Sequence, residues 1–321
     1  MRYVKLGHSD ITVPVICVGG MSFGKPSEEF HAWTLGQADT EAMIAHALEL
    51  GVNFIDTANQ YAGGTSEEYI GRALKRLDVR REDVVLASKV YFNEGKLSRQ
   101  AILREIEGSL ERLQTDYLDL YQIHRFDYDT PMEETMETLH ELVQSGKVRA
   151  LGASAMYGYQ FHNLQLVAGQ HGWTKFVTMQ NHYNLLYRED ERDLIPVCRQ
   201  YGVSLIPYSP LAGGHLARPA WNSDSLRSHT DRLTPAKYDR YKDEDMEIIS
   251  RVEEVAGQHH VSMAVTALAW LYGRGCASPI VGATKMKHFD DACQAADCVL
   301  SEAEMKYLEE PYTARKVSGA R

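Results

Sequence analysis

Short apolar runs recur along the chain at nearly even intervals: Ile16 to Gly19, Val52 to Asp56, Val84 to Lys89, Leu118 to Ile123, Arg149 to Ser154, Phe176 to Gln180, Val203 to Tyr208 and Pro279 to Gly282. Runs of this length without polar alternation predict strands buried on both faces, as in a parallel sheet. The stretches between them carry a helical period. Ile102, Ile106, Leu110 and Leu113 share one face, and Tyr69, Ile70, Ala73, Leu74 and Leu77 share another, after Ser66 as the expected N-cap. Thr130-Pro131 places a cap residue before a proline at the first helical position, and Gly51, Gly146 and Gly202 stand where helices end in a left-handed residue. Strand and helix therefore alternate, which predicts parallel crossover units.

Eight such units predict an α/β fold, a closed (β/α)8 barrel, and a single domain over residues 1–321. The open doubly wound alternative announces itself by a G-x-G-x-x-G turn after the first strand, and Gly19-Gly20-Met21-Ser22-Phe23-Gly24 has the wrong spacing. Residues 1–14 read as an N-terminal β-hairpin capping the barrel. Residues 213–245 form a long polar stretch, expected as a lid or binding loop, and extra helices close the chain. The last of these has a capping box, Ser301 to Glu304, with Leu300 and Met305 placed as a hydrophobic staple.

Composition adds exclusions. A net charge of −10 over 321 residues repels phosphate backbones and anionic lipid, so neither nucleic acid nor a membrane surface is the expected partner. The five cysteines are scattered without a C-x-x-C pair, which predicts no disulfide framework and no zinc site, and fits a reducing cytosol. The N-terminus lacks an apolar signal core, and no run of ~18 apolar residues occurs, so a cytoplasmic location is expected. The oligomeric state is left open.

In a barrel of this kind the active site is built at the C-terminal ends of the strands. Here those ends read Asp56, Lys89, His124, Ser154, Gln180, Tyr208 and Gly282, each one unit after the last until the long insertion. Polar groups repeating once per unit converge on one mouth. A charge ending an apolar strand must find a partner, and an Asp56–Lys89 ion pair is the simplest resolution. Tyr61, on the loop after Asp56, can bring a phenol beside that lysine, whose positive charge favours the phenolate. Such a phenol, with a histidine nearby, can protonate a carbonyl oxygen as hydride arrives. Taken singly, each residue has a structural reading: loop cap, packing ring, solvated strand end, satisfied core histidine. Jointly, at matching strand ends, they point to chemistry.

The same residues carry a resemblance to the aldo-keto reductases. Gly51-Val52-Asn53-Phe54-Ile55-Asp56-Thr57-Ala58 with Tyr61 and Gly71-Arg72-Ala73-Leu74 resembles one signature of that family, Lys89 after Ala87-Ser88 resembles its lysine strand, and Asp116 to Leu120 leading to Gln122-Ile123-His124 its histidine strand. His31-Ala32-Trp33-Thr34 and Asn181 to Leu185 look closest to a bacterial branch near the potassium-channel β-subunit-like reductases. The resemblance implies reduction of a small-molecule carbonyl with NADPH. Tyr61 is then the proton donor, tuned by Lys89 and Asp56, and His124 orients the carbonyl. It also implies that Tyr208 stacks on the nicotinamide, that Ser154 and Gln180 hold its carboxamide, and that Ser209, Leu211 and Gly213 line the pyrophosphate. Gly282, Thr284, Lys285, His288 and Asp291 match positions around the adenosine 2′-phosphate. The chain departs from the pattern at Ala155, where asparagine is usual, at His288, where glutamine is usual, and at Ala292, again for asparagine.

Two rivals follow from the same residues. A strand-end lysine such as Lys89 can form a Schiff base, as in aldolases. Relatives of the channel β subunits bind the cofactor and act as redox-sensing partner proteins. Substrate choice is expected to lie in the loops around residues 21–35, 91–96, 126–129 and 213–245, where Trp33, Tyr91 and Phe126 offer an aromatic pocket with Tyr61.

Overall fold

The computed structural model describes residues 1–28 and 30–319. A hairpin opens the chain, β1 (Tyr3–Lys5) pairing antiparallel with β2 (Thr12–Pro14). All eight apolar runs then supply strands of one parallel sheet: β3 (Cys17–Gly19), β4 (Phe54–Asp56), β5 (Val85–Val90), β6 (Leu118–Ile123), β7 (Val148–Ser154), β8 (Phe176–Gln180), β9 (Ser204–Leu205) and β10 (Ile280–Val281). Their spatial order follows the chain, with β10 beside β3. At the remaining seam Ala277 N donates to Leu205 O (2.8 Å) and Ile280 N to Pro207 O (2.9 Å). The ring is bridged there by two hydrogen bonds rather than by a full ladder, since Pro207 has no N–H to give.

Helices α1 (Gln37–Glu49), α2 (Thr65–Arg76), α3 (Arg99–Leu113), α4 (Met132–Gln144), α5 (Gly158–His171) and α6 (Leu194–Gln200) follow successive strands. Side-chain alternation along the strands divides the apolar residues into two clusters. Ile55, Leu86, Tyr121, Leu151 and Leu205 pack with the helices. Phe54, Val85, Ala87, Leu120, Ala150 and Ile206 fill the interior together with Leu6, Ile11 and Val13 of the hairpin, which thus plugs one end. Parity from these interior residues assigns Asp56, Lys89, Gln122, His124, Ser154 and Tyr208 to the same inner face, above the plug. Gly152 belongs to that face because a Cβ there would lie 2.4 Å from Thr178 Oγ1 and 2.8 Å from Gln122 Cγ.

Gly51, Gly146 and Gly202 all take positive φ after their helices, and Ser301 and Glu304 form the expected reciprocal cap on α12 (Glu302–Glu309). Three local expectations are corrected. Ser66 lies inside α2, whose N-cap is Gly64, and its hydroxyl instead bonds Thr57 Oγ1 (2.8 Å) and Gly20 O (2.7 Å). Pro131 rather than Thr130 is the cap of α4, and the Thr130 hydroxyl donates to Asp127 (2.8 Å). The polar insertion is no open loop: it contains α7 (Leu226–Thr230) and α8 (Leu233–Tyr238), and α9 (Lys242–His259) begins before it was expected to end. Then follow α10 (Met263–Gly273), β10, α11 (Lys287–Ala295) and α12.

Candidate active site

At the open end of the ring, Lys89 Nζ donates to Asp56 Oδ2 (2.6 Å), Thr57 O (2.7 Å) and Tyr61 Oη (3.2 Å). Lys89 is fully buried and Asp56 nearly so. The other Asp56 oxygen accepts from Gln122 Nε2 (2.7 Å) and Gln180 Nε2 (3.0 Å), so both carboxylate oxygens have donors. Burial pulls the Lys89 ammonium towards its neutral form, but Asp56 and Tyr61 outweigh that and hold it above the ordinary lysine value. A lysine kept charged is a poor Schiff-base nucleophile, which counts against the aldolase rival. His124 packs edge-on to Tyr61 (5.8 Å between centroids). Burial, then the charges of Lys89 and Arg125, push its imidazole well below the usual histidine range, so it is neutral, and its Nδ1 has no partner among the described residues.

The residues expected around a dinucleotide lie at or just after the ends of β7, β8, β9 and β10. Ser154 Oγ donates to Gln180 O (2.8 Å). Tyr208 stacks on His182 (5.1 Å), and its buried hydroxyl lacks a partner among the described residues. After it the backbone turns through positive φ at Ser209, Ala212, Gly213 and Gly214, with Leu211 between. A side chain on Gly213 would strike Thr234 of α8 at 2.5 Å, so the turn runs directly beneath the insertion. A cleft opens here, lined by Gly213, Arg218, Trp221, Arg227, Asp231, Thr234 and Asp239 among others. Gly282, Thr284 and Lys285 follow β10, ahead of α11, and Thr284 N donates to His288 Nδ1 (3.4 Å). Asp291 pairs with Lys287 (2.6 Å), whereas Lys285 carries no ion pair among the described residues. The orphan hydroxyl of Tyr208 and the glycine turn after it fit a dinucleotide such as NADPH.

Of the proposed pocket residues, Tyr91 packs on Phe92 (5.0 Å) and Phe126 on Tyr128 (4.9 Å). Trp33 is only 4% exposed, stacked by His31 (4.7 Å) and covered by the Arg227 guanidinium (4.3 Å). Trp33 thus joins its loop to the insertion. Sequence reasoning missed Arg218 and Arg227 in the cleft, Lys237 over the Tyr208 ring, Arg125 beside His124, and Gln122 beneath Asp56. Only Gln122 left a signal, as an amide inside an apolar run. The others lie in stretches without period.

Comparison with known proteins agrees with this geometry. The model of the aldo/keto reductase family matches residues 15–312. A versiconal hemiacetal acetate reductase of Aspergillus parasiticus is 40% identical over 99% of this chain and 98% of its own length. The aldo-keto reductase AMT2 of Alternaria alternata is 40% identical over 99% and 93%. Both are fungal, so the narrower affinity with a bacterial, channel-subunit-like branch finds no support in them. Among solved structures the thermostable aldo-keto reductase Tm1743, crystallised with the inhibitor epalrestat, superposes with a TM-score of 0.76 at 30% identity, covering 97% of this chain and all of its own. No helix among the described residues is long and apolar enough to cross a membrane. With the strand-end residues, the barrel and these relatives in agreement, the chain belongs to the aldo-keto reductase family and is an oxidoreductase of carbonyl compounds.

Proposed function

We propose that this protein reduces an aldehyde or ketone to the alcohol with NADPH in the cytoplasm, Tyr61 being the proton donor. The observation that carries this reading is the buried chain Tyr61–Lys89–Asp56 ending at the mouth beside a neutral histidine. NADPH, when bound, supplies the hydride. Tyr61 Oη gives its proton to the carbonyl oxygen, and the Lys89 ammonium stabilises the phenolate left behind. Neutral His124 donates a ring N–H to the same oxygen and so orients the carbonyl without competing as an acid. Ser154, Gln180 and Tyr208 hold the nicotinamide end. Ser209, Leu211 and Gly213 take the pyrophosphate, and Gly282, Thr284, Lys285, His288 and Asp291 surround the adenosine 2′-phosphate. Lys285, an ammonium ahead of the N-terminus of α11, favours the phosphorylated cofactor over NADH. Trp33, Tyr91 and Phe126 shape the substrate side.

The test is Tyr61→Phe, which keeps the ring and removes the proton. NADPH binding should persist while turnover of a simple aldehyde falls by about 10²–10⁴-fold, the usual worth of general acid catalysis. Near-normal turnover would remove Tyr61 from this role.

A further inference from the structure

The last described residues of the chain return to the mouth. Tyr312 Oη and Arg315 N both donate to Glu189 Oε1 (2.8 and 2.6 Å), and the Arg315 guanidinium makes a buried ion pair with Asp245 (2.6 Å). Ser318 then exchanges two hydrogen bonds with the Tyr187 hydroxyl: Ser318 N donates to it (2.8 Å), and it donates to Ser318 O (3.2 Å). Tyr187 stacks on His182 (4.1 Å), and His182 stacks on Tyr208, so the tail is seated on the ring stack that presents Tyr208. Gly319 finishes against that ring. A Cβ on it would lie 2.6 Å from Tyr208 Oη and 3.8 Å from Ala155 Cβ, and its φ is +101°.

The hydrogen-bond inventory of the site shows what such a tail can add. The Ser154 hydroxyl proton is spent on Gln180 O, and both Gln180 Nε2 protons are spent, on Asp56 Oδ1 and Gln122 Oε1. Each residue can still accept from a carboxamide N–H, but neither has a proton left for the carboxamide oxygen. Residue 155 brings only a methyl group. Tyr208 Oη, a buried side-chain hydroxyl without a partner among the described residues, is enclosed with Gly319.

We propose that the C-terminal segment 315–319 is part of the nicotinamide-binding site, walling the carboxamide end over Ala155 and enclosing the Tyr208 hydroxyl with it, a task the side chain at 155 does not perform. This rests on the reading of Tyr208 as the nicotinamide platform. The segment positions the cofactor and takes no part in proton transfer.

Two variants of the full chain test it. Tyr187→Phe keeps the ring stack and removes both bonds to Ser318. Gly319→Val places a branched side chain at a positive φ and against Tyr208. Each is titrated with NADPH and with 2′,5′-ADP, which lacks the nicotinamide, alongside thermal unfolding. The expected result is an NADPH Kd raised about tenfold, roughly the loss of one hydrogen-bonded wall, with 2′,5′-ADP binding and the unfolding midpoint unchanged. NADPH affinities equal to wild type in both variants, or equal losses for both probes, would overturn the proposal. Wild type that binds 2′,5′-ADP but shows no added affinity for NADPH would also overturn it, while wild type that binds neither would sink the cofactor reading itself.

Discussion

At the scale of single residues, the centre of the site is a buried ion pair whose every polar atom has an assignment. Asp56 takes one ammonium and two amide donors, and Lys89 gives its three protons to Asp56, Thr57 and Tyr61. Such a pair contributes little net stability, but removing one partner leaves the other charge uncompensated. Lys89→Met should therefore lose at least as much turnover as Tyr61→Phe and destabilise the fold by about 3–5 kcal/mol, the usual cost of orphaning a buried charge. Steady-state NADPH oxidation and thermal unfolding measure the two effects. Retained activity with an unchanged pH profile would make Lys89 a structural strand end. His124 contributes differently: burial keeps it neutral, so an acid limb of the pH profile is not expected from it in the usual histidine range.

At the scale of elements, the insertion after β9 shows how short helices without much intrinsic stability are held. Asp231 is the hub. Its carboxylate accepts from Leu233 N (2.8 Å), Thr234 Oγ1 (2.8 Å) and Arg227 Nε (3.1 Å), joining α7 to α8. Arg227 continues to Trp33, so one guanidinium ties the insertion to the loop that carries Trp33. Lys237 of α8 lies over the Tyr208 ring (4.9 Å) with no ion pair among the described residues. Burial drives its ammonium down to about 8, Arg125 and Arg227 add to this, and Asp231 opposes it. The positive charge that this lid offers an anionic cofactor is therefore present below about pH 8 and lost above it. NADPH affinity should weaken as pH rises past 8, with the midpoint displaced upward by the bound phosphates. In Lys237→Gln that part of the pH dependence should vanish. Identical pH profiles of the Kd in the two proteins would show that Lys237 does not face the cofactor.

At the scale of the whole molecule, chemistry and stability sit at opposite ends of the barrel. Asp119, near the start of β6, accepts from Leu86 N (2.9 Å), Arg81 (2.7 Å) and Arg149 (2.7 Å), and Arg149 reaches Asp10 of the hairpin (3.4 Å). Three strands and the plug are tied by one buried carboxylate, far along the sheet from His124 at the other end of the same strand. Both arginines are partly solvated, so the loss on Asp119→Ala is set by the hydrogen bonds to a charged group and should be about 1–3 kcal/mol. Urea unfolding should show this loss while kcat/KM stays near wild type. A matching fall in kcat/KM would mean that the plugged end is coupled to the mouth.

The strand order and the meeting of Asp56, Tyr61, Lys89 and His124 were legible in the sequence, because burial on both faces writes unbroken apolar runs and a polar residue ending such a run stands out locally. The eight runs carry the fold, and the hairpin and the cap at Ser301 were equally local signals. Tertiary structure alone decided what depends on residues distant in sequence. Ser66 serves Gly20 instead of capping its helix, and the insertion folds around Asp231. Arg227 is spent on Trp33, and Gly319 returns across the barrel to Tyr208. Polar segments carry no periodic burial signal, so their conformation follows from which partner satisfies their charges and backbone groups, and that partner is known only once the barrel has brought it near.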